Sequence, residues 1–294
     1  MSVAVIITDR NTDQLCRHLR QCLPDILIQQ WPDIEDPDSV RLAVLWQHPA
    51  GITQHFPQLE AVVSMGAGMD HIEADAAIPE AVNKWRVVTP VLQQNMAQYV
   101  LQHVLAEQRH AKAYLQQQQA EDWRVLESNE PMPVVGFLGL GQLGGFVADR
   151  CLDLGFRTLA WTASQQHPQH PCHHGPEGLQ TVCANCRYLV ILLPLNEHTR
   201  HVINEQSLAW CQPETTLINV GRGGHVDELA LLRALDAGRL KRAVLDVFAE
   251  EPLPAGHPFW QHPRVTLTPH SSSRSDVAQT ATEIAALYQR LVAV

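Results

Sequence analysis

A glycine-rich turn between a strand-like run and a helix-like run restricts this chain more than any other feature. Val134-Val135-Gly136-Phe137-Leu138 is a short apolar run, and Gly139-Leu140-Gly141-Gln142-Leu143-Gly144 follows it at once. A short apolar run bounded by glycine reads as a buried strand. In this GxGxxG the first glycine permits a tight turn, and the second lets the backbone approach a ligand. The third allows close packing of helix on strand. The spacing alone is a weak signal. Between a strand and a helix it predicts a pyrophosphate at the helix N-terminus, where N–H groups and the positive dipole end face the ligand. Gly139, Gly141, Gln142, Leu143 and Gly144 are the expected dinucleotide contacts.

Similar runs recur at 157–161, 188–193, 216–220, 242–248 and 265–268. Helical patterns lie between them, such as 227–235, ended by Gly238. Strand–helix alternation of this kind predicts a doubly wound parallel sheet. The first part has the same grammar, with runs at 3–8, 42–46, 61–64 and 86–89 and a helical pattern at 13–19 stopped by Pro24. From about 94 to 124 the periodicity predicts one long connecting helix, with Gln116 to Gln119 on a solvated face. The last amphipathic stretch, 275–291, returns to the first domain.

With 294 residues and 45% apolar content, the chain suffices for one large domain or two ordinary ones, each with a core. The formal charge of -10 argues against nucleic acid or an anionic membrane as main partner. No apolar stretch approaches the ~18 residues that span a bilayer. The N-terminus reads as a strand without a basic leader, so a cytoplasmic enzyme is expected. Seven cysteines, an odd number, do not suggest a disulfide framework. Cys183-Ala184-Asn185-Cys186 has metal-like spacing, yet it sits where a helix ends before a strand and small residues pack. The histidine- and proline-rich piece 167–178 reads as a solvated loop. No metal site is expected.

Three later runs lead into chemistry. Residues 216–221 lead into Arg222, 243–248 lead to Glu251, and 265–269 lead to His270. Ligands of open parallel sheets sit beyond the carboxyl ends of the strands. A cation, an acid and an imidazole in one such crevice can bind a carboxylate and move a proton. Singly, each residue has an ordinary structural explanation; together they point to catalysis. The run ending at Trp161 continues Thr162-Ala163-Ser164-Gln165-Gln166, without the acid that usually holds the NAD ribose. A carboxylate there would repel a 2′-phosphate. Thr162 and Ser164 hydroxyls and a nearby histidine remain to receive one, which favours NADP(H), with NAD(H) as the alternative.

These motifs, in this order, resemble the D-2-hydroxyacid dehydrogenases. The resemblance rests on Gly139 to Gly144, Asn219-Val220-Gly221-Arg222-Gly223, Leu245-Asp246-Val247-Phe248 with Glu251-Pro252, and Thr268-Pro269-His270. Trp46, Ser64-Met65-Gly66-Ala67-Gly68-Met69-Asp70, Pro252-Leu253-Pro254 and the stretch 259–265 make it most similar to the bacterial glyoxylate/hydroxypyruvate reductases of the A type. It implies two Rossmann-like α/β domains. A flavodoxin-like substrate domain would comprise 1–95 and 275–294, and an inserted dinucleotide-binding domain 96–274, in a homodimer formed through the latter.

The implied reaction is reduction of a small 2-keto acid. His270 would donate the proton, Glu251 would favour its charged form, and Arg222 would bind the substrate carboxylate. Gly66, Ala67 and Gly68 would offer N–H groups to that carboxylate, and Trp46 would wall the pocket. Asp246 would hold the nicotinamide carboxamide, and Leu193, Pro194, Val220 and Gly221 complete the cofactor contacts. The chain departs from the A-type pattern at Thr162-Ala163, where Ser-Arg is usual, and at Ser271-Ser272-Ser273, where small apolar residues are commoner. A dinucleotide-sensing, corepressor-like binding module is the competing class, and a dehydrogenase of the same family acting on another 2-hydroxy acid is the nearer alternative. The complete trio weighs against the binding module.

Overall fold

Every named strand runs parallel to its neighbours, and the central ones are short Val-, Ile- and Leu-rich runs covered on both faces, as parallel sheets require. The computed structural model describes residues 1–126 and 132–293. The chain divides into two compact units, Met1–Leu92 with Arg274–Val294, and Gln93–Ser273.

In chain order the first unit contains β1 (Ser2–Ile7), α1 (Asp13–Cys22), β2 (Leu27–Gln30), β3 (Val40–Trp46), β4 (Ala61–Ser64), α2 (Asp70–Glu73) and β5 (Asn83–Arg86). Two helices follow, α3 (Pro90–Gln108) and α4 (Ala111–Gln119). The second unit continues with β6 (Val134–Leu138), α5 (Gln142–Asp153), β7 (Arg157–Trp161), β8 (Cys172–His173) and α6 (Gly175–Asn185). Then come β9 (Tyr188–Ile191), α7 (Glu205–Trp210), β10 (Thr216–Asn219), α8 (Glu228–Asp236), β11 (Arg242–Leu245) and β12 (Val265–Leu267). Finally α9 (Val277–Val292) returns to the first unit.

The first sheet has the order β2-β1-β3-β4-β5, the flavodoxin-like arrangement, with its switch point between β1 and β3. Alternation along β1 serves both faces: Val3 and Val5 join the core beneath α1 and α9, while Ala4 and Ile6 join the one containing Phe56 and Ile72. The second sheet has the order β12-β11-β10-β9-β6-β7-β8, a Rossmann arrangement with one further strand. Its switch point lies between β6 and β9, and the glycine turn follows β6. Among the described residues, no helix is long and apolar enough to cross a membrane.

Three expectations need correction. The connecting helix is two helices, because His110 adopts a left-handed backbone (φ 57°) between α3 and α4. The glutamines of α4 do face solvent, since no residue of that helix is buried. The 167–178 piece is not simply a solvated loop: it contains β8, starts α6 and buries His170. At the first sheet's edges, β2 was not foreseen and β5 ends at Arg86, where the expected run began. Both edge strands are rich in polar residues (Leu27-Ile28-Gln29-Gln30 and Asn83-Lys84-Trp85-Arg86), which hides them from an apolar-run criterion.

Asp276 caps the start of α9, its side chain accepting the Gln279 N–H at 2.8 Å, and the helix packs Ile284 and Tyr288 against Leu15 and Leu19 of α1. Ile284→Ala should cost about 2–5 kcal/mol, the range for truncating a fully buried aliphatic side chain. Urea unfolding of the two proteins measures it, and a difference under about 0.5 kcal/mol, as at an ordinary surface site, would contradict this packing.

Candidate active site

β10, β11 and β12 lie side by side, so their carboxyl ends open on one edge of the sheet. The segment after each carries one of the trio: Arg222, Glu251 and His270. His270 Nδ1 lies 2.7 Å from Glu251 Oε2, and Glu251 Oε1 accepts the Phe248 N–H at 3.0 Å. Both carboxylate oxygens are thereby engaged, and the ring directs Nε2 away from the acid. Burial works to raise the Glu251 carboxyl. The hydrogen bonds from His270 and Phe248 and the charges of His270 and Arg222 outweigh it, holding the group below its ordinary 4.5. The His270 side chain remains 45% exposed, enough to meet a ligand.

The turn bearing His270 is built around Asp246, which is fully buried. One carboxylate oxygen accepts the Thr268 hydroxyl at 2.5 Å and the Ser271 N–H at 2.8 Å, and the other accepts the Ser272 N–H at 2.9 Å. The Asp246 carbonyl accepts the His270 N–H at 2.8 Å. These bonds hold His270 at a left-handed φ of 49°, uncommon for a side-chain-bearing residue. The Tyr99 hydroxyl lies 2.6 Å from that of Thr268, and burial pushes the Tyr99 phenol up to about 12. The residue assigned to the nicotinamide carboxamide therefore sits inside this turn.

Arg222 is anchored through its backbone. Its N–H donates to His225 Nδ1 at 3.1 Å, and its carbonyl accepts from the Asn219 side chain at 3.0 Å. Buried His225 directs Nε2 to the Pro194 carbonyl at 3.3 Å, so one neutral tautomer satisfies both contacts. Gly223 admits no side chain, since a Cβ there would fall 1.9 Å from the Phe248 carbonyl carbon. The Arg222 turn thus lies against the backbone leading to Glu251. Sequence reasoning missed Tyr99, Asn219, Thr268 and His225 as supports. Asn219 and Thr268 lie inside the motifs quoted above, His225 stands three residues after Arg222, and Tyr99 carries no signal because its partner is 169 residues away.

The glycine turn fits a pyrophosphate. Gly139 has φ 98°, and a Cβ there would meet the Leu192 carbonyl oxygen at 2.7 Å. At Gly144 a Cβ would lie 2.3 Å from the Gly139 carbonyl oxygen, whereas at Gly141 it would meet nothing within 4 Å. The turn is closed by packing at its ends and open in its middle. Gln142 and Leu143 begin α5, whose N-terminus no side chain caps. At the end of β7 the Thr162 hydroxyl is buried, donating to the Gln165 carbonyl at 2.8 Å and lying 3.2 Å from His174 Nδ1. Ser164 is exposed. Leu193 and Pro194 follow β9, and Val220 and buried Gly221 follow β10.

In the first unit, Trp46 ends β3 and its ring covers Gly66, where a Cβ would sit 3.3 Å from the indole. Ser64 ties the turn, donating from Oγ to the Gly68 carbonyl at 2.6 Å. Ala67 and Gly68 are partly exposed. Trp46 and Gly66–Gly68 are therefore neighbours at one end of the first sheet.

Residues 101–272 match the model of the D-isomer specific 2-hydroxyacid dehydrogenase NAD binding domain. The chain belongs to this family. A glyoxylate/hydroxypyruvate reductase A of Serratia proteamaculans is 35% identical over 267 residues, covering 88% of this chain and 85% of that protein. A D-isomer specific 2-hydroxyacid dehydrogenase of Xanthobacter autotrophicus, solved with NADPH and MES, has a TM-score of 0.93 at 31% identity. It aligns with 99% of this chain and 95% of its own. An NADPH-dependent glyoxylate/hydroxypyruvate reductase of Sinorhizobium meliloti, solved with NADP and sulfate, has a TM-score of 0.89 at 28% identity, with 100% and 96% covered.

For this dehydrogenase the depressed Glu251 carboxyl has a pH consequence. A carboxyl whose folded value lies below its unfolded one contributes stability above the unfolded value. That contribution is lost as pH falls through the folded value. Glu251→Gln should therefore lower Tm near neutral pH, and the gap from wild type should close as pH falls below about 4.5. Thermal melts across pH check this; a gap independent of pH would show that the carboxylate charge contributes nothing.

Proposed function

We propose that this dehydrogenase reduces a small 2-keto acid of the glyoxylate/hydroxypyruvate type to the 2-hydroxy acid, with NADPH favoured over NADH. The observation that carries this reading is the 2.7 Å His270–Glu251 pair on the sheet edge that also bears Arg222. The reduced nicotinamide, when bound, supplies a hydride. The remaining chemistry belongs to the chain. His270, held at Nδ1 by Glu251, donates a proton from Nε2 to the carbonyl oxygen as negative charge develops there. Glu251 stabilises the imidazolium before transfer, and Asp246 keeps the ring in place through the turn it braces. The planar guanidinium of Arg222 binds the substrate carboxylate. Trp46 and the N–H groups of Gly66, Ala67 and Gly68 are the substrate contacts assigned to the first unit, and the ring over Gly66 favours a small acid.

The cofactor preference rests on the end of β7. No carboxylate occurs from 159 to 166 to repel a 2′-phosphate, and Ser164 and His174 offer polar atoms at the turn. The solved relatives from Xanthobacter and Sinorhizobium, which carry NADPH or NADP, support the same choice. A cytoplasmic homodimer is the proposed form. Seven cysteines without a disulfide suit a reducing compartment. Exposed Tyr114, Leu115, Trp123 and Val125, clustered in sequence in the second unit, suit a subunit contact.

Loss of reduced-nicotinamide absorbance with glyoxylate and hydroxypyruvate tests the reaction. Turnover is expected with a higher kcat/KM for NADPH. A higher value for NADH would overturn the cofactor choice. No turnover with any small 2-keto acid would overturn the reaction in favour of a dinucleotide-sensing module. His270→Gln should lower kcat by about 10²–10⁴-fold in a folded protein. Arg222→Ala should raise KM and lower kcat together; near-wild-type turnover in either variant would remove that residue from its role.

A further inference from the structure

His167-Pro168-Gln169-His170-Pro171 joins β7 to the edge strand β8, and the catalytic reading leaves both histidines unused. The His170 side chain has no exposure. Its Nδ1 lies 2.7 Å from the Thr158 hydroxyl on β7, and its Nε2 lies 3.0 Å from Asp149 Oδ1 on α5. The His167 ring lies beside it, with centroids 4.4 Å apart and planes inclined by 31°. His167 Nδ1 accepts the Gln169 N–H at 3.3 Å, which turns Nε2 to the other side of that ring. One ligand atom from each of Asp149, His167 and His170 lies within 4.8 Å of the others.

The Asp149–His170 pair accounts for two of these side chains and leaves aside the His167 ring that lies against them. A neutral imidazole is a metal ligand, and two imidazoles with one carboxylate form a donor set suited to borderline divalent ions. Nε2 and Oδ1 now share a hydrogen bond at 3.0 Å, and they need to part by only a few tenths of an ångström to reach the roughly 3.3–3.4 Å edge of a tetrahedron around an ion with bonds of about 2.0–2.1 Å. Thr158 supplies the outer contact such a site needs. Its hydroxyl can accept Nδ1–H, fixing the tautomer that offers Nε2 to an ion.

We propose that Asp149, His167 and His170 form a site for one divalent transition-metal ion of the zinc type, completed by water. The ion clamps the histidine segment to α5. The same segment lends the Pro171 and His173 carbonyls to the Ala160 and Thr162 N–H groups, so the clamp secures β8 at the sheet edge. The site stands apart from the Arg222, Glu251 and His270 edge and requires nothing of the reaction assigned there.

The test uses untagged, EDTA-treated full-length protein and titrates zinc and cobalt directly. Wild type should bind one equivalent of zinc in competition with a chromophoric chelator, and cobalt should give visible d–d absorption. Zinc at about a hundredfold excess over Kd should raise Tm by roughly 5 °C or more. His167→Gln, at a partly exposed position, and Asp149→Asn should each weaken binding at least tenfold and abolish the Tm rise. Thr158→Val should weaken it about tenfold. A His173→Gln/His174→Gln double variant should bind as wild type does. Zinc affinity unchanged by His167→Gln, loss confined to the double variant, or absence of a stoichiometric ion would each overturn the proposal.

Discussion

The candidate site depends on one buried carboxylate. A charged Asp246 beneath the surface is tolerable only if its oxygens find donors, because an unpaired buried charge costs several kcal/mol. The donors it finds are the Thr268 hydroxyl and the N–H groups of Ser271 and Ser272. Those groups can converge only if the chain folds tightly past the end of β12, with His270 at positive φ. Satisfying Asp246 and presenting the His270 ring are therefore one folding event. Tyr99 extends the arrangement to α3, so the turn is braced from a helix as well as from β11.

The approach of the three candidate side chains follows from the parallel sheet. Strands that all run one way must end at one edge, and β10, β11 and β12 are adjacent. The backbone sets the finer distances. Gly223 lets the Arg222 turn meet the backbone at Phe248, and Phe248 in turn donates its N–H to Glu251. His225 and Asn219 hold the Arg222 backbone from its two sides. The guanidinium, whose Nη1 donates to the Gly221 carbonyl at 2.8 Å, thus rests on a fixed main chain, and its charge is felt at Glu251.

Much of this could be read from the sequence, for identifiable reasons. Central strands bury both faces and appear as apolar runs, so β1, β3, β6, β9, β10 and β11 were legible along with the glycine turn. Edge strands such as β2, β5 and β8 have fewer neighbours to cover them and admit Gln, Asn, Lys and His, so no apolar run marks them. The break between α3 and α4 turns on a single left-handed residue, His110, where neither glycine nor proline gives warning. At the site, the strand ends marked Arg222, Glu251 and His270. Nothing in the sequence indicated that Asp246 would be enclosed by the turn, or that Tyr99 would reach Thr268.

On the proposed reading, selectivity for a cofactor at the end of β7 arises without a dedicated contact. Thr162, the residue nearest in sequence to the expected phosphate, keeps its hydroxyl inside, bonded to the Gln165 carbonyl and facing His174. Its role there is to shape the turn. Discrimination then comes chiefly from what is absent, a carboxylate that would hold a ribose diol and repel a 2′-phosphate. Removing a repulsive group relaxes selectivity, while adding a cation sharpens it, because specificity is a difference between two affinities. A site of this kind therefore discriminates less steeply between the two nicotinamides than one carrying an arginine at position 163. The substitution Ala163→Arg would supply the missing attraction: in steady-state kinetics KM for NADPH should fall while kcat at saturating cofactor stays as it was.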